Sequence, residues 1–170
     1  MRNKHSVTLY NVLFPVWLLV WIPSFLWLLL IPLNFAMDYL VLYKSLPATA
    51  ERKAFCDSHT WKICAAGFAA DFAGSVFLFA LFMMTGNWGV SFAQAVNQGL
   101  AFNPFGNGLA FVLVVTAILL SAYLIYRFDL CILKRAGLPE GQSKTSALWL
   151  AAMTSPYLFL LPSEILYRGW

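Results

Sequence analysis

Charged residues are scarce in this chain of 170 residues. Only 11% of the residues are Asp, Glu, Lys or Arg, whereas 61% are hydrophobic. A soluble domain usually has about 25% charged and about 45–50% apolar residues. The deficit excludes an ordinary soluble fold and indicates that lipid is the solvent for much of the surface. At this length we expect residues 1–170 to form a single integral membrane domain with no separate soluble domain.

Motifs of known enzymes are also missing. The sequence has no Walker loop, no G-x-S-x-G, no H-E-x-x-H and no dinucleotide-binding fingerprint. His5 and His59 are its only imidazoles. We therefore predict that the protein is not an enzyme and carries no cofactor. A basic stripe interleaved with aromatic residues is absent, which argues against nucleic acid as a partner.

The three cysteines form no strong metal-binding motif. Cys56-x2-His59-x4-Cys64, with Asp57 between, superficially suggests metal ligation. Structural zinc sites use four ligands, usually in two close pairs. Here a fourth ligand would have to come from Cys131, Asp57 or another subunit. We predict no metal site, and we expect free thiols on the basic side of the membrane.

Four apolar segments occupy most of the chain: residues 10–43, 63–84, 108–126 and 147–167. Each of the last three has about the ~20 residues that a helix needs to cross a ~30 Å hydrocarbon core. The sequence therefore predicts an all-α, polytopic membrane helix bundle. It would have three clear transmembrane helices plus an N-terminal hydrophobic segment that is broken by proline.

The N-terminal segment, residues 10–43, is too long for one straight crossing. A helix of this length would run about 50 Å, and Pro15, Pro23 and Pro32 would interrupt it. Two interpretations remain open. In one, a single kinked span crosses the membrane. In the other, the chain enters from the cytoplasm, turns near Pro23 and Ser24, and returns as a re-entrant hairpin.

Basic residues lie beside the apolar segments and predict the topology. Lys and Arg occur in residues 44–62 and 127–146, but none occurs in residues 85–107. The positive-inside rule places the two basic loops in the cytoplasm, and the neutral loop and the C-terminus outside the cytoplasmic membrane. The hairpin would put ten of the eleven cations inside, and the single span would put eight there. The side of the N-terminus therefore stays open.

The neutral loop contains a predicted short helix over residues 91–99. Ser91 and Gln94 fit a capping box, and Gly99 suits a C-terminal cap. Its apolar face would consist of Phe92, Val96 and Leu100. We expect this helix to lie on the outer leaflet, and a lid over a pore is the alternative.

Asp71 is the most unusual residue of the chain because it lies deep inside an apolar segment. An ionised carboxylate at the centre of a membrane helix costs about 2.5–3.5 kcal/mol and must find a partner, water or a proton. Gly67 and Gly74 lie on its face and predict close packing of another helix, while Ser75 adds a hydroxyl. One interpretation is a proton or cation site, and the other is a neutral carboxyl that holds two helices together.

Two more charged residues lie toward the same side of the predicted membrane. Asp38 lies late in the first segment and Arg127 ends the third span, so that an Asp38–Arg127 or Asp71–Arg127 pair is possible. In the alternative, Arg127 extends to the lipid headgroups and Asp129 is solvated.

The fourth segment contains the run Thr154-Ser155-Pro156, followed by Pro162 and Glu164. Broken helices of this kind build substrate sites in many transporters. The alternative is a kinked packing helix with Glu164 at the outer interface.

Together these features predict an oligomeric channel or transporter for a small solute, an ion or a proton. Its polar path would consist of Asp71, Asp38, Arg127, Ser75 and Glu164. The alternative is a non-catalytic accessory or scaffold subunit of a larger membrane complex. The expected partners are the lipid bilayer and either a second copy of the chain or another membrane protein.

Overall fold

The computed structural model describes residues 15–21, 27–163 and 165. Five α-helices follow one another: α1 (Trp27–Ser45), α2 (Arg52–Asn87), α3 (Ser91–Ala101), α4 (Gly108–Arg135) and α5 (Glu140–Thr154). Three short 3-10 helices accompany them: Val16–Val20, Pro104–Gly106 and Tyr157–Leu160. No strand occurs among the described residues, and the all-α prediction is confirmed.

Three of these helices, α1, α2 and α4, are long and apolar enough to cross a membrane. This supports a membrane location. Two of the three, α2 and α4, contain predicted spans, whereas α1 overlaps the second half of the N-terminal segment. The predicted span over residues 147–167 is wrong as one continuous helix, because α5 ends at Thr154 and a 3-10 helix follows.

Pro156 causes this break in the fourth segment. Proline has no backbone N–H, so a helix through Pro156 would leave the carbonyl of Ala152 without its partner. The Tyr157 hydroxyl donates to that carbonyl instead. The chain then narrows into the 3-10 helix Tyr157–Leu160.

The fourth segment nevertheless runs along the whole bundle. At one end the hydroxyls of Ser45 and Ser146 lie 2.9 Å apart. At the other end the Ser163 backbone N–H donates to the Phe102 carbonyl at 2.8 Å, and its hydroxyl donates to the Ala101 carbonyl at 3.0 Å. We call the end of the bundle that holds the two basic loops the basic end. The opposite end, which holds α3, is the neutral end.

The described part of the first segment runs in one direction along α2. Its successive aromatic residues meet successively earlier residues of α2: Trp17 with Phe82, Trp21 with Phe72, Trp27 with Phe68, and Tyr43 with Arg52. This is the course that the kinked-span interpretation requires. Pro23 and Ser24, where the hairpin alternative would turn, lie outside the described residues.

The helix α3 packs against α2 and α4 at the neutral end. Val96 and Leu100 are buried inside the bundle, whereas Phe92, which the sequence placed on the same face, is exposed. The capping box is wrong, because Val90 is the N-cap and no side chain caps the helix. Gly99 is not a cap either. It lies inside the helix, where a methyl group would come within 2.6 Å of the Ala110 side chain.

Local chemistry sets both ends of α4. The Asn107 side chain accepts hydrogen bonds from the backbone N–H groups of Leu109 at 3.0 Å and Ala110 at 3.1 Å, which starts the helix. After the helix ends, Gly137 adopts a φ of 89° and turns the chain toward α5.

Glu140 ties the turn between α4 and α5 together at the basic end. Its carboxylate lies 2.8 Å from the Lys144 ammonium and 3.3 Å from the Lys134 ammonium. Hydrogen bonding from Lys144, and then from Lys134, lowers the pKa of Glu140. All three side chains are exposed, so these pairs contribute little to the free energy of unfolding.

The apolar core is concentrated in two clusters. The cluster at the neutral end surrounds Trp17, Leu78 and Val114, and the cluster at the basic end surrounds Leu42, Ile63 and Leu133. Between them lies only a small group of buried residues: Ala70, Ile125 and Ala151. The middle of the bundle therefore has the least apolar packing.

The helices α2 and α4 approach each other closely at Gly74. A methyl group there would collide with the Ser121 Oγ and would lie 3.1 Å from the Ala117 carbonyl oxygen. Ser121 uses this space to donate to the Ala70 carbonyl at 3.1 Å. Gly74 thus has the packing position that its sequence context predicted. The same prediction is wrong for Gly67, where a methyl group would meet no neighbouring element within 4 Å.

We predict that Gly74→Ala lowers thermal stability in detergent, by about 1–3 kcal/mol, because the added methyl group overpacks the α2–α4 contact. Gly67→Ala is the matched control in the same helix, and it should be neutral or stabilising because alanine favours helix by about 0.5–1 kcal/mol. Adding Ser121→Ala to Gly74→Ala should restore part of the loss. Equal destabilisation by both alanine substitutions would contradict this account of the contact.

Candidate functional site

A cavity of about 550 Å³ lies between α1, α2 and the broken fourth segment. It is within the range of small-molecule sites, about 300–1,000 Å³. Most of its wall is apolar, and the larger side chains include Trp27, Phe68, Phe105, Tyr157 and Phe159. The polar side chains of its wall are Asn34, Asp71, Thr154 and Ser155. The cavity adjoins the break after α5, because residues on both sides of the break, Ser155 and Tyr157, belong to its wall.

Asp71 is the acid of this cavity. Its Oδ1 is buried and has no hydrogen-bond partner in the described part of the chain. The nearby position of Gly67, one turn earlier in α2, leaves further open space on the same face. The small-residue face of α2 therefore divides into a half that packs tightly at Gly74 and a half that opens around Asp71.

Asp38 is buried on α1, where its side chain is only 2% exposed. The Asn34 amide donates to Asp38 Oδ2 at 3.4 Å and to the Cys64 sulfur at 3.8 Å. The Thr154 hydroxyl of α5 also lies beside the Asp38 carboxyl. Asn34 and Asp38 therefore link α1 to α2 and α5 on the side of the cavity that faces the basic end.

Asp129 is fully buried in α4, and neither of its carboxyl oxygens has a hydrogen-bond partner among the described residues. Its predicted exposure to solvent is wrong. It follows Ser121 and Ile125 at four-residue spacing, and both of those residues are buried on the face of α4 that points into the bundle. Asp38 lies near enough to interact with the charges of both Asp71 and Asp129.

Arg127 does not join this group, and the proposed pairs with Asp38 and Asp71 are wrong. Side chains two positions apart in a helix are rotated by about 200° around its axis. Arg127 therefore points away from the bundle interior when Asp129 points into it. Arg127 is exposed, and its guanidinium lies 6.0 Å from the centre of the Tyr123 ring. Within the described ranges, the ion pairs are those of Glu140 at the basic end.

Ser75 is buried but does not line the cavity. Its hydroxyl donates to the Phe72 carbonyl at 2.8 Å and accepts from the Trp21 indole N–H at 2.8 Å. It therefore holds Trp21 against α2 and is not part of an open polar path. Glu164 lies outside the described residues.

The described residues offer little for a metal ion. No three His, Cys, Asp or Glu side chains in residues 15–21, 27–163 and 165 are close enough together to hold one. Cys56 and Cys64 are buried, Cys131 is exposed, and all three thiols are free. The three interior carboxyl groups thus come from three helices without forming a common coordination shell.

An unpaired interior carboxylate is expensive when no cation compensates for it. Of the described residues that line the cavity, none is Lys, Arg or His. Asp71 therefore needs a proton, water or a cation that enters the cavity. The carboxyl group can accept a positive charge, and among the described wall residues no hydroxyl lies beside a His or Lys base.

Sequence reasoning found Asp71, Asp38 and the break at Pro156, but it missed Asn34 and Asp129 as members of this group. Asn34 and Asp38 are four residues apart on one helix face, a spacing that indicates contact. Asp129 continues the buried series Ile118, Ser121 and Ile125, and that register was the available signal.

Comparison of the chain with family models, curated proteins and solved structures gave no match. The chemistry of the cavity is thus the basis for the assignment of a function.

We predict that Asp129→Leu keeps or raises thermal stability in detergent. Leucine has a similar shape, and replacing an unsatisfied buried polar group with an apolar one is often neutral or stabilising. Ser121→Ala is the control on the same face, and it should cost about 1 kcal/mol because it removes the hydrogen bond to Ala70. A loss of several kcal/mol in Asp129→Leu would show that the carboxyl has a stabilising partner in the folded protein.

Proposed function

We propose that this protein is a small membrane transporter or channel that moves protons and binds a solute in the Asp71 cavity. The observation that carries the proposal is that Asp71 lines a largely apolar cavity and that its buried Oδ1 has no hydrogen-bond partner among the described residues. Acidic residues inside membrane helices are costly and are functional sites by default.

The broken fourth segment supports the same function. Secondary transporters commonly form their solute sites where a helix is discontinuous near the middle of the membrane. Here the break at Ser155 and Pro156 lines the same cavity as Asp71. Membrane proteins tolerate non-helical backbone at membrane depth where it lines a cavity, and the residues around this break do line one.

Asp38 and Asp129 extend the row of carboxyl groups from the cavity toward the basic end. Asp38 lies near enough to interact electrostatically with both Asp71 and Asp129, so the proposed path would run from Asp71 through Asp38 to Asp129. A proton that reaches Asp71 has two further acceptors in the interior, and water in the open space at Gly67 would connect them.

We also propose a multi-pass position in the cytoplasmic membrane. The basic loops 44–62 and 127–146 would face the cytoplasm, and the neutral loop 85–107 and the C-terminus would face outward. The support is the distribution of basic residues. Lys and Arg occur in both basic loops, and neither occurs in the neutral loop 85–107.

Cysteine labelling tests this orientation. In a variant without Cys56, Cys64 and Cys131, a single cysteine at Gly89 should react with a membrane-impermeant maleimide added to intact cells. A single cysteine at Gly141 should react only after the cells are opened. Both positions are exposed in the structure, so the reverse pattern of labelling would overturn the proposed topology.

Proton movement tests the function directly. Vesicles that contain a trapped pH dye are given an inside-negative potassium diffusion potential with valinomycin. Protons should then enter vesicles with the wild-type protein faster than they enter protein-free vesicles. Asp71→Asn should reduce this rate at least tenfold toward that of protein-free vesicles, because an amide cannot exchange a proton. Asp57→Asn is the matched control, since Asp57 is exposed on the same helix.

Two results would contradict the proposal. An unchanged rate in Asp71→Asn would remove Asp71 from the path. A wild-type rate equal to that of protein-free vesicles would favour the alternative function, a non-catalytic accessory subunit that acts only with a partner.

A further inference from the structure

The hydroxyl groups at the break use their protons inside the protein. Thr154 donates to the Leu150 carbonyl at 2.9 Å, and Ser155 donates to the Ala151 carbonyl. Both side chains line the cavity. A hydroxyl that donates elsewhere can still accept, so Thr154 and Ser155 offer a solute lone pairs and no proton.

The other side-chain donors of the wall are engaged as well. The Asn34 amide directs its two N–H bonds to Asp38 and Cys64. The Trp27 indole N–H donates to the Leu19 carbonyl at 2.7 Å, and the Tyr157 hydroxyl donates to Ala152. Among the described residues of the wall, no side-chain N–H or hydroxyl is left to donate to a solute.

With Asp71 ionised, the side chains of the described wall can only accept hydrogen bonds. An anionic solute, such as a carboxylate or a phosphate, would meet a like charge and no basic residue among the described wall residues. A transition-metal ion would lack ligands, because no three His, Cys, Asp or Glu side chains come together in the described ranges, and the mostly apolar wall suits an organic cation better than a hydrated inorganic one. An organic cation avoids both problems. Its positive charge compensates for the ionised Asp71 carboxylate, and it needs no further ligand.

Aromatic rings provide the remaining contacts. Trp27, Phe68, Phe105, Tyr157 and Phe159 lie around the cavity. Ring faces attract cations, by about 0.5–1 kcal/mol at exposed sites and about 2 kcal/mol or more where water is excluded. They also bury the apolar groups of an organic cation.

We propose that the cavity binds a lipophilic monovalent organic cation, an amine or an onium ion, with its charge on Asp71 and its apolar groups on the aromatic wall. The role of this cation as a transported solute rests on the proposed function. Binding itself does not, and the two can fail separately.

The test measures equilibrium binding of tetraphenylphosphonium to the purified full chain in detergent, with protein-free micelles as the blank. Asp71→Asn should weaken binding at least tenfold, because asparagine keeps the shape but not the charge. Asp71→Glu should stay within a few fold of wild type, and Asp57→Asn should match wild type. Each variant is first shown to be monodisperse, so that loss of fold is recognised.

Neutral triphenylphosphine oxide is the comparison ligand. It has similar rings but carries a hydrogen-bond acceptor in place of the charge, so it should bind at least tenfold more weakly than tetraphenylphosphonium. Tighter binding of the neutral oxide would overturn the proposal, because it would mean that Asp71 acts as a protonated donor. No binding of tetraphenylphosphonium, or equal binding by wild type and Asp71→Asn, would also overturn it.

The vesicle assay separates this inference from the proposed function. Binding of tetraphenylphosphonium that depends on Asp71, without proton movement in vesicles, would support the ligand class and overturn the transporter. Proton movement that depends on Asp71, without cation binding, would support the transporter and overturn the ligand class.

Discussion

Pro156 imposes the constraint on which the middle of this structure depends. Because proline has no backbone N–H, α5 ends at Thr154 and the chain continues as a narrower 3-10 helix. The Tyr157 hydroxyl satisfies the carbonyl that the break would leave unpaired. The fourth segment still reaches the neutral end, where Ser163 bonds to the end of α3. Residues on both sides of the break line the cavity, and Asp71 lies on the same wall.

The apolar core holds this polar layer in place from both ends. One cluster packs around Trp17 and Leu78, the other packs around Leu42 and Ile63, and few apolar residues lie between them. Close packing at Gly74 fixes α2 against α4 near the cavity, whereas the open space at Gly67 leaves room beside Asp71. One face of α2 thus carries a closely packed position at Gly74 and an unfilled space at Gly67. This arrangement positions a carboxyl group and still leaves space for water or a solute.

Several parts of the site follow from short stretches of sequence, and others do not. Asp71 stands out because it is a lone charge in an apolar run, and Thr154-Ser155-Pro156 indicates a break because of proline chemistry. Asp129 does not stand out, since it lies two residues from Arg127 in a stretch that ends in basic residues. Its neighbours in sequence suggest headgroups and water, yet the helical period turns it inward and Arg127 outward. For Gly67, the pattern of small residues predicted a contact that the bundle does not make.

The sequence by itself determined the helical class, the apolar segments and the presence of an acid deep within one of them. These properties are local, because hydropathy, helical period and proline chemistry act over a few residues. Only the tertiary structure decided that Asp38, Asp71 and Asp129 share one interior, and that the side-chain donors of the described cavity wall are already engaged. Those facts depend on which faces of separate helices meet, because Asp38 and Asp129 lie 91 positions apart in the chain and are both buried in the bundle.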